Sequence, residues 1–200
     1  MSYSDYKNAR DAAWEFLIQS RIKKLPVDMG KICAAHGFEL YSYTTGIGVI
    51  KALGYESQCG KSDGFSVLKN GTYYIFYSEK CVPGRQRFSI AHEIGHIVLG
   101  HLRDGRCTIL NREPSPPDNP VETQANQFAA RLLAPACVLN ALNATAPEEI
   151  SVLCGISKQA AQFRAARMHT LQKRQKFLSH PLERQVMKQF RCWVFWKRLI

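Results

Sequence analysis

The segment His92-Glu93-Ile94-Gly95-His96 constrains this chain more than any other. Phe88-Ser89-Ile90-Ala91 precedes it and Ile97-Val98-Leu99 follows, so the stretch predicts a helix over 88–102 with one apolar side. On an α-helix, residues four apart differ by about 40° around the axis and one turn along it. His92 and His96 therefore face the same way, and two neutral imidazoles on one face can supply two of the three protein ligands of a catalytic zinc. Glu93 lies beside them, where its carboxylate can act as general base toward a water activated by the metal without being a ligand itself. The plain alternative is a buried helix whose histidines only satisfy hydrogen bonds. Gly95, with no side chain, permits a second helix to come close.

A third ligand is required. A further glycine and histidine three and six residues after His96 would make one known pattern, but those positions hold Leu99 and Leu102. His101 stands about 140° round a continuing helix and cannot join the pair unless the helix ends first. It reads instead as a helix-end histidine near the C-terminal dipole. Glu122 is the stronger candidate. It begins a helix predicted over Val121 to Leu133, behind a proline-rich loop expected at 104–120 with Pro114, Pro116, Pro117 and Pro120. Asn126, one turn on, can orient a ligand histidine through its amide. Ala125, Ala129 and Ala130 keep that helix thin enough to pack against Gly95. Arg131 reads as an ordinary solvated helix charge.

Elsewhere, Ser4 to Lys24 carries apolar residues at helical spacing, with Ser2 and Asp5 as a capping box. Pro26 is expected to open a short helix that ends at Gly37, and Phe38 to Tyr43 reads as a strand. Residues 44–64 give no firm assignment. Phe65 to Lys69 and Thr72 to Tyr77, joined by Asn70-Gly71, predict a hairpin with a type I′ turn. The Thr72 to Tyr77 strand, just before the histidine helix, is placed to receive an extended peptide at its edge.

The charge is uneven. Of a formal net +11, residues 158–200 hold eleven Lys/Arg against the single acid Glu183, so the first 157 residues are nearly neutral. A cationic end on a neutral body suits a polyanion or an acidic partner surface there. Seven cysteines without a C-x-x-C pair suit free thiols in a reducing cytoplasm. The N-terminus lacks the apolar core of a secretory signal, and no run of eighteen apolar residues could span a bilayer. A cytoplasmic location is expected.

Arg87-Phe88-Ser89-Ile90-Ala91-His92-Glu93-Ile94-Gly95-His96 is followed by Glu122-Thr123-Gln124-Ala125-Asn126-Gln127-Phe128-Ala129-Ala130 and Leu132-Leu133-Ala134-Pro135. Together these resemble the ImmA/IrrE family of zinc metallopeptidases, with similarity over roughly residues 26–168. The resemblance implies an α+β, zincin-like domain with an active-site helix, a small antiparallel sheet and a glutamate-bearing helix. It implies a Zn2+ cofactor held by His92, His96 and Glu122, with Glu93 as general base. Family members act as anti-repressors on helix-turn-helix repressors of mobile elements such as phages, or of stress regulons. The implied partner is therefore a protein substrate, a transcriptional repressor.

The expected organisation is a metallopeptidase domain over 1–168 and a basic, aromatic helical extension over 169–200. Within the domain, Glu148 to Cys154 and Lys158 to Met168, joined by Gly155-Ile156-Ser157, have the shape of a helix-turn-helix. Arg164 and Arg167 on its second helix would suit phosphates, although scaffolding or substrate docking ranks ahead of nucleic-acid binding there. The extension, with Leu182, Val186, Trp193 and Ile200 near helical spacing, is expected to fold back on the body in preference to lying on a membrane. Two rivals to hydrolysis remain: a module that sequesters a repressor without cutting it, and a DNA-binding regulator working through 148–168.

Overall fold

The computed structural model describes residues 3–102, 107–111 and 119–199. It contains helices α1 (Tyr3–Gln19), α2 (Met29–Ala35), α3 (Ile47–Leu53), α4 (Pro83–Val98), α5 (Pro120–Leu133), α6 (Ala136–Ala141), α7 (Pro147–Cys154), α8 (Lys158–Lys173) and α9 (Pro181–Lys197). Strands β1 (Glu39–Ser42), β2 (Ser62–Lys69), β3 (Thr72–Tyr77) and β4 (Cys107–Asn111) form one sheet in the order β1-β3-β2-β4. The fold is α+β, as expected.

The hairpin forms where Asn70-Gly71 places it. Both residues have positive φ, 50° and 77°, which a type I′ turn demands, and Lys69 pairs with Thr72 across it. β1 pairs with β3 in parallel and β4 pairs with β2 antiparallel. This order corrects the expectation that Thr72 to Tyr77 offers an edge to a peptide: β3 is hydrogen-bonded on both sides, so its backbone groups are already used. β4 also corrects the loop expected over 104–120, since Cys107–Asn111 joins the sheet. The flanking 104–106 and 112–118, like the Ser2 cap, lie outside the described residues.

Side-chain alternation divides β3 between two cores. Ile75, with Tyr73 and Tyr77 beside it, faces the main core against α4. Phe76 faces the other way and joins Phe65, Val67 and Ile50 of α3 in a smaller cluster. The main core is helical, drawing Phe16 and Leu17 from α1, Ile90 and Ile94 from α4, and Phe128 and Leu132 from α5.

Several helix ends differ from the expected ones, each for a local reason. α2 starts after Asp28, whose carboxylate accepts from Lys31 N at 3.0 Å, and not at Pro26. α4 starts early because Pro83 takes its first position, and stops at Val98 because Gly100 (φ 72°) turns the chain. There His101 N donates to His96 O at 2.9 Å and Gly100 N to Ile97 O at 3.1 Å, the bond pair of a Schellman motif.

The α7–α8 corner forms as the sequence suggests. Gly155 takes φ 61°, and Ser157 Oγ accepts from Ala160 N at 3.2 Å. Its turn is pressed against the first turn of α4: a Cβ on Gly84 would lie 2.6 Å from Ser157 N and 2.8 Å from the carbonyl carbon of Ile156. Arg87 ties the same region together, donating from Nη2 to Val27 O at 2.7 Å and to Cys154 O at 3.4 Å. Arg164 is buried at this corner instead of standing on an outward basic face.

The C-terminal helix folds back. Val186, Phe190 and Val194 of α9 are buried in the main core, and Gln189 Nε2 donates to Leu17 O at 2.8 Å and Ile22 O at 2.5 Å, closing α9 onto the end of α1. α8 runs without a break across 168 and 169, where the organisation above placed its boundary. Phe195 and Trp196 remain exposed.

Candidate metal centre

α4 and α5 cross at Gly95, where a Cβ would lie 3.2 Å from both Cα and O of Ala125 and 3.1 Å from Phe128 Cδ1. No larger residue fits that crossing without moving backbone, and the closeness brings the first turn of α5 over the middle of α4. Asn119 caps α5, accepting at Oδ1 from Val121 N at 3.1 Å and Glu122 N at 3.4 Å, with Pro120 in the first helical position. The cap fixes where Glu122 enters.

Three side chains converge as a result. His92 Nε2 lies 2.8 Å from His96 Nε2, and Glu122 reaches both rings, with Oε2 3.2 Å from His92 Nε2 and Oε1 3.4 Å from His96 Nε2. One ligand atom from each of the three falls within 4.8 Å of the others. Both histidines are buried and Glu122 is nearly so. Burial works against the charged form of Glu122, but the two imidazoles outweigh it and hold the carboxyl down at about 2.

The outer nitrogens are engaged as well. His92 Nδ1 lies 2.9 Å from Asn126 Oδ1, so the ring donates there and turns its Nε2 lone pair inward. His96 Nδ1 lies 3.0 Å from His101 Nδ1. Glu93, fully buried, accepts at Oε2 from Ser66 Oγ at 2.5 Å, so the sheet holds its carboxylate. Burial, and then the neighbouring His96, push the pKa of His101 below its ordinary value.

This donor set fits a cation. Two imidazole nitrogens and a carboxylate meet with their acceptor atoms facing each other, and buried Glu122 Oε2 accepts no hydrogen bond. Such an atom is costly unless a positive charge compensates it. Among the described residues this is the one group of three or more His, Cys, Asp or Glu with that spacing.

Of the residues named from sequence, His92, His96, Glu122 and Asn126 meet through their side chains, and Glu93, next to His92 in the chain, is buried and held by Ser66. Three neighbours were not foreseen there. Ser66 has no signal beyond its alternation on β2, whereas His101 and Gln124 do: Gly100 in the last turn announces a reversal that carries the next residue back over the helix. Arg131 is a correction of another kind. It is 7% exposed and donates from Nη1 to Gln127 O at 2.7 Å, so its charge is folded back onto its own helix.

The fold and the two-helix centre are those of a metallopeptidase. Residues 49–166 match the family model Peptidase_M78, the IrrE N-terminal-like domain, over more than half of the chain, and the chain belongs to that family. No curated protein matches it. No helix among the described residues is long and apolar enough to cross a membrane.

Proposed function

We propose that the protein is a zinc-dependent endopeptidase acting on one protein, a helix-turn-helix transcriptional repressor of a mobile element or stress regulon. The observation that carries the hydrolytic reading is the convergence of His92 Nε2, His96 Nε2 and Glu122 beside a buried Glu93. The repressor follows from the ImmA/IrrE resemblance.

In this reading His92, His96 and Glu122 would hold the metal, and zinc there would supply Lewis acidity to water and to the scissile carbonyl. Glu93 takes the proton of the attacking water and passes it to the leaving amine, restoring its carboxylate. Ser66 keeps the Glu93 carboxylate aimed, and Asn126 keeps the His92 Nε2 lone pair turned toward His96 and Glu122. The substrate strand adds to the outer edge of β4, not to β3 as the sequence had suggested. β4 is the sheet-edge strand beside β2, and its Thr108 stands opposite Ser66.

Two variants test this. Purified wild type should carry stoichiometric metal, and Glu122→Ala should lose it. Glu93→Gln should keep the metal and lose cleavage of the repressor. Biological activity surviving in Glu93→Gln would favour sequestration without hydrolysis and reject the peptidase reading.

A further inference from the structure

His101 stands just beyond α4, yet it is drawn back against the metal centre. The Schellman turn at Gly100 reverses the chain, and the ring of His101 packs edge-on to that of His96, with centroids 5.1 Å apart. Its Nδ1 lies 3.0 Å from His96 Nδ1, and its Nε2 lies 3.1 Å from Gln124 Oε1 on α5.

These contacts determine where the protons sit. The Gln124 oxygen can only accept, so His101 Nε2 carries a hydrogen. A neutral imidazole has one N–H, so His101 Nδ1 is a lone pair and His96 Nδ1 must donate to it. His96 Nε2 is then left as a lone pair, 2.8 Å from His92 Nε2 and directed at the shared centre. The opposite arrangement, with a proton on His101 Nδ1, would put the His96 hydrogen on Nε2 and block that nitrogen as a ligand.

We propose that His101, anchored by Gln124, is a positioning residue that locks His96 in the Nδ1–H tautomer and so readies its Nε2 for the metal. The inference rests on the reading of His92, His96 and Glu122 as metal ligands. It gives each ligand histidine its own support from α5: Asn126 directly for His92, and Gln124 through His101 for His96. The helix that carries the carboxylate ligand thereby also sets the protonation pattern of both imidazoles.

The test uses the full chain, with zinc affinity measured by competition against a chromophoric chelator. His101→Leu should weaken zinc binding by about 10- to 100-fold. His101→Gln, whose side-chain oxygen can still accept from His96 Nδ1, should recover most of that loss. Long-range 1H–15N correlation on histidine-labelled, zinc-loaded wild type should place the hydrogen on Nδ1 of His96 and on Nε2 of His101. Wild type that takes up no zinc would remove the metal reading and the inference together. Tight wild-type binding with His101→Leu unaffected, or with Leu and Gln variants equally weakened, would overturn the positioning role alone. If His101→Leu does not fold, the tautomer measurement decides: a hydrogen on His101 Nδ1 rejects the proposal.

Discussion

Ser66, on a strand, donates its hydroxyl to Oε2 of Glu93, on the helix packed across that strand, at 2.5 Å. The bond joins the sheet to the buried carboxylate proposed as general base. A hydrogen bond to a charged group contributes about 1.5–3 kcal/mol. Ser66→Ala should therefore slow cleavage by about 10- to 100-fold while metal content stays at the wild-type level. Single-turnover cleavage alongside metal analysis checks both halves, and a parallel loss of metal would mean that Ser66 supports the ligands instead.

The crossing at Gly95 makes a second prediction. A side chain there meets the backbone of Ala125, which cannot rotate away. Gly95→Val should destabilise the fold by about 1–3 kcal/mol through overpacking. It should also weaken metal binding, because His92 and His96 are on one helix and Glu122 on the other. Chemical denaturation and chelator competition separate the two effects.

The C-terminal helix belongs to the core. Phe190→Ala should cost about 3–5 kcal/mol, since the ring is fully buried. Trp196→Ala, on the exposed side of the same helix, should change stability by less than about 0.5 kcal/mol. Equal midpoints for the two variants in urea would contradict the docking of α9.

Thiol reactivity should follow burial. Desolvation pushes Cys33, Cys137 and Cys154 up to about 12, so at pH 8 almost none of each is thiolate. Cys192 is exposed. Brief alkylation of the native protein at pH 8, mapped by mass spectrometry, should label Cys192 well ahead of those three, and the order should collapse on denaturation.

The centre was legible because helix pitch alone places His92 and His96 together, and because Glu122 begins a helix behind a proline-rich stretch that can bring it across the first. The Asn70-Gly71 hairpin was legible for a similar reason, as its two central residues carry the backbone preference of the turn. β4 was not. It is five residues long within a proline-rich stretch, and its pairing with β2 is a long-range choice with no local signature. His101 was set aside by extending α4 as a regular helix past Gly100, where the chain in fact turns. Arg131 and Arg164 looked solvated because the residues around them, Trp14 and Glu183 among them, are distant in sequence.

Gly84 abuts the turn between α7 and α8 so tightly that a side chain there would strike the backbone of Ile156 and Ser157. One absent methyl group therefore sets how the helix that carries both imidazoles is seated on its neighbours.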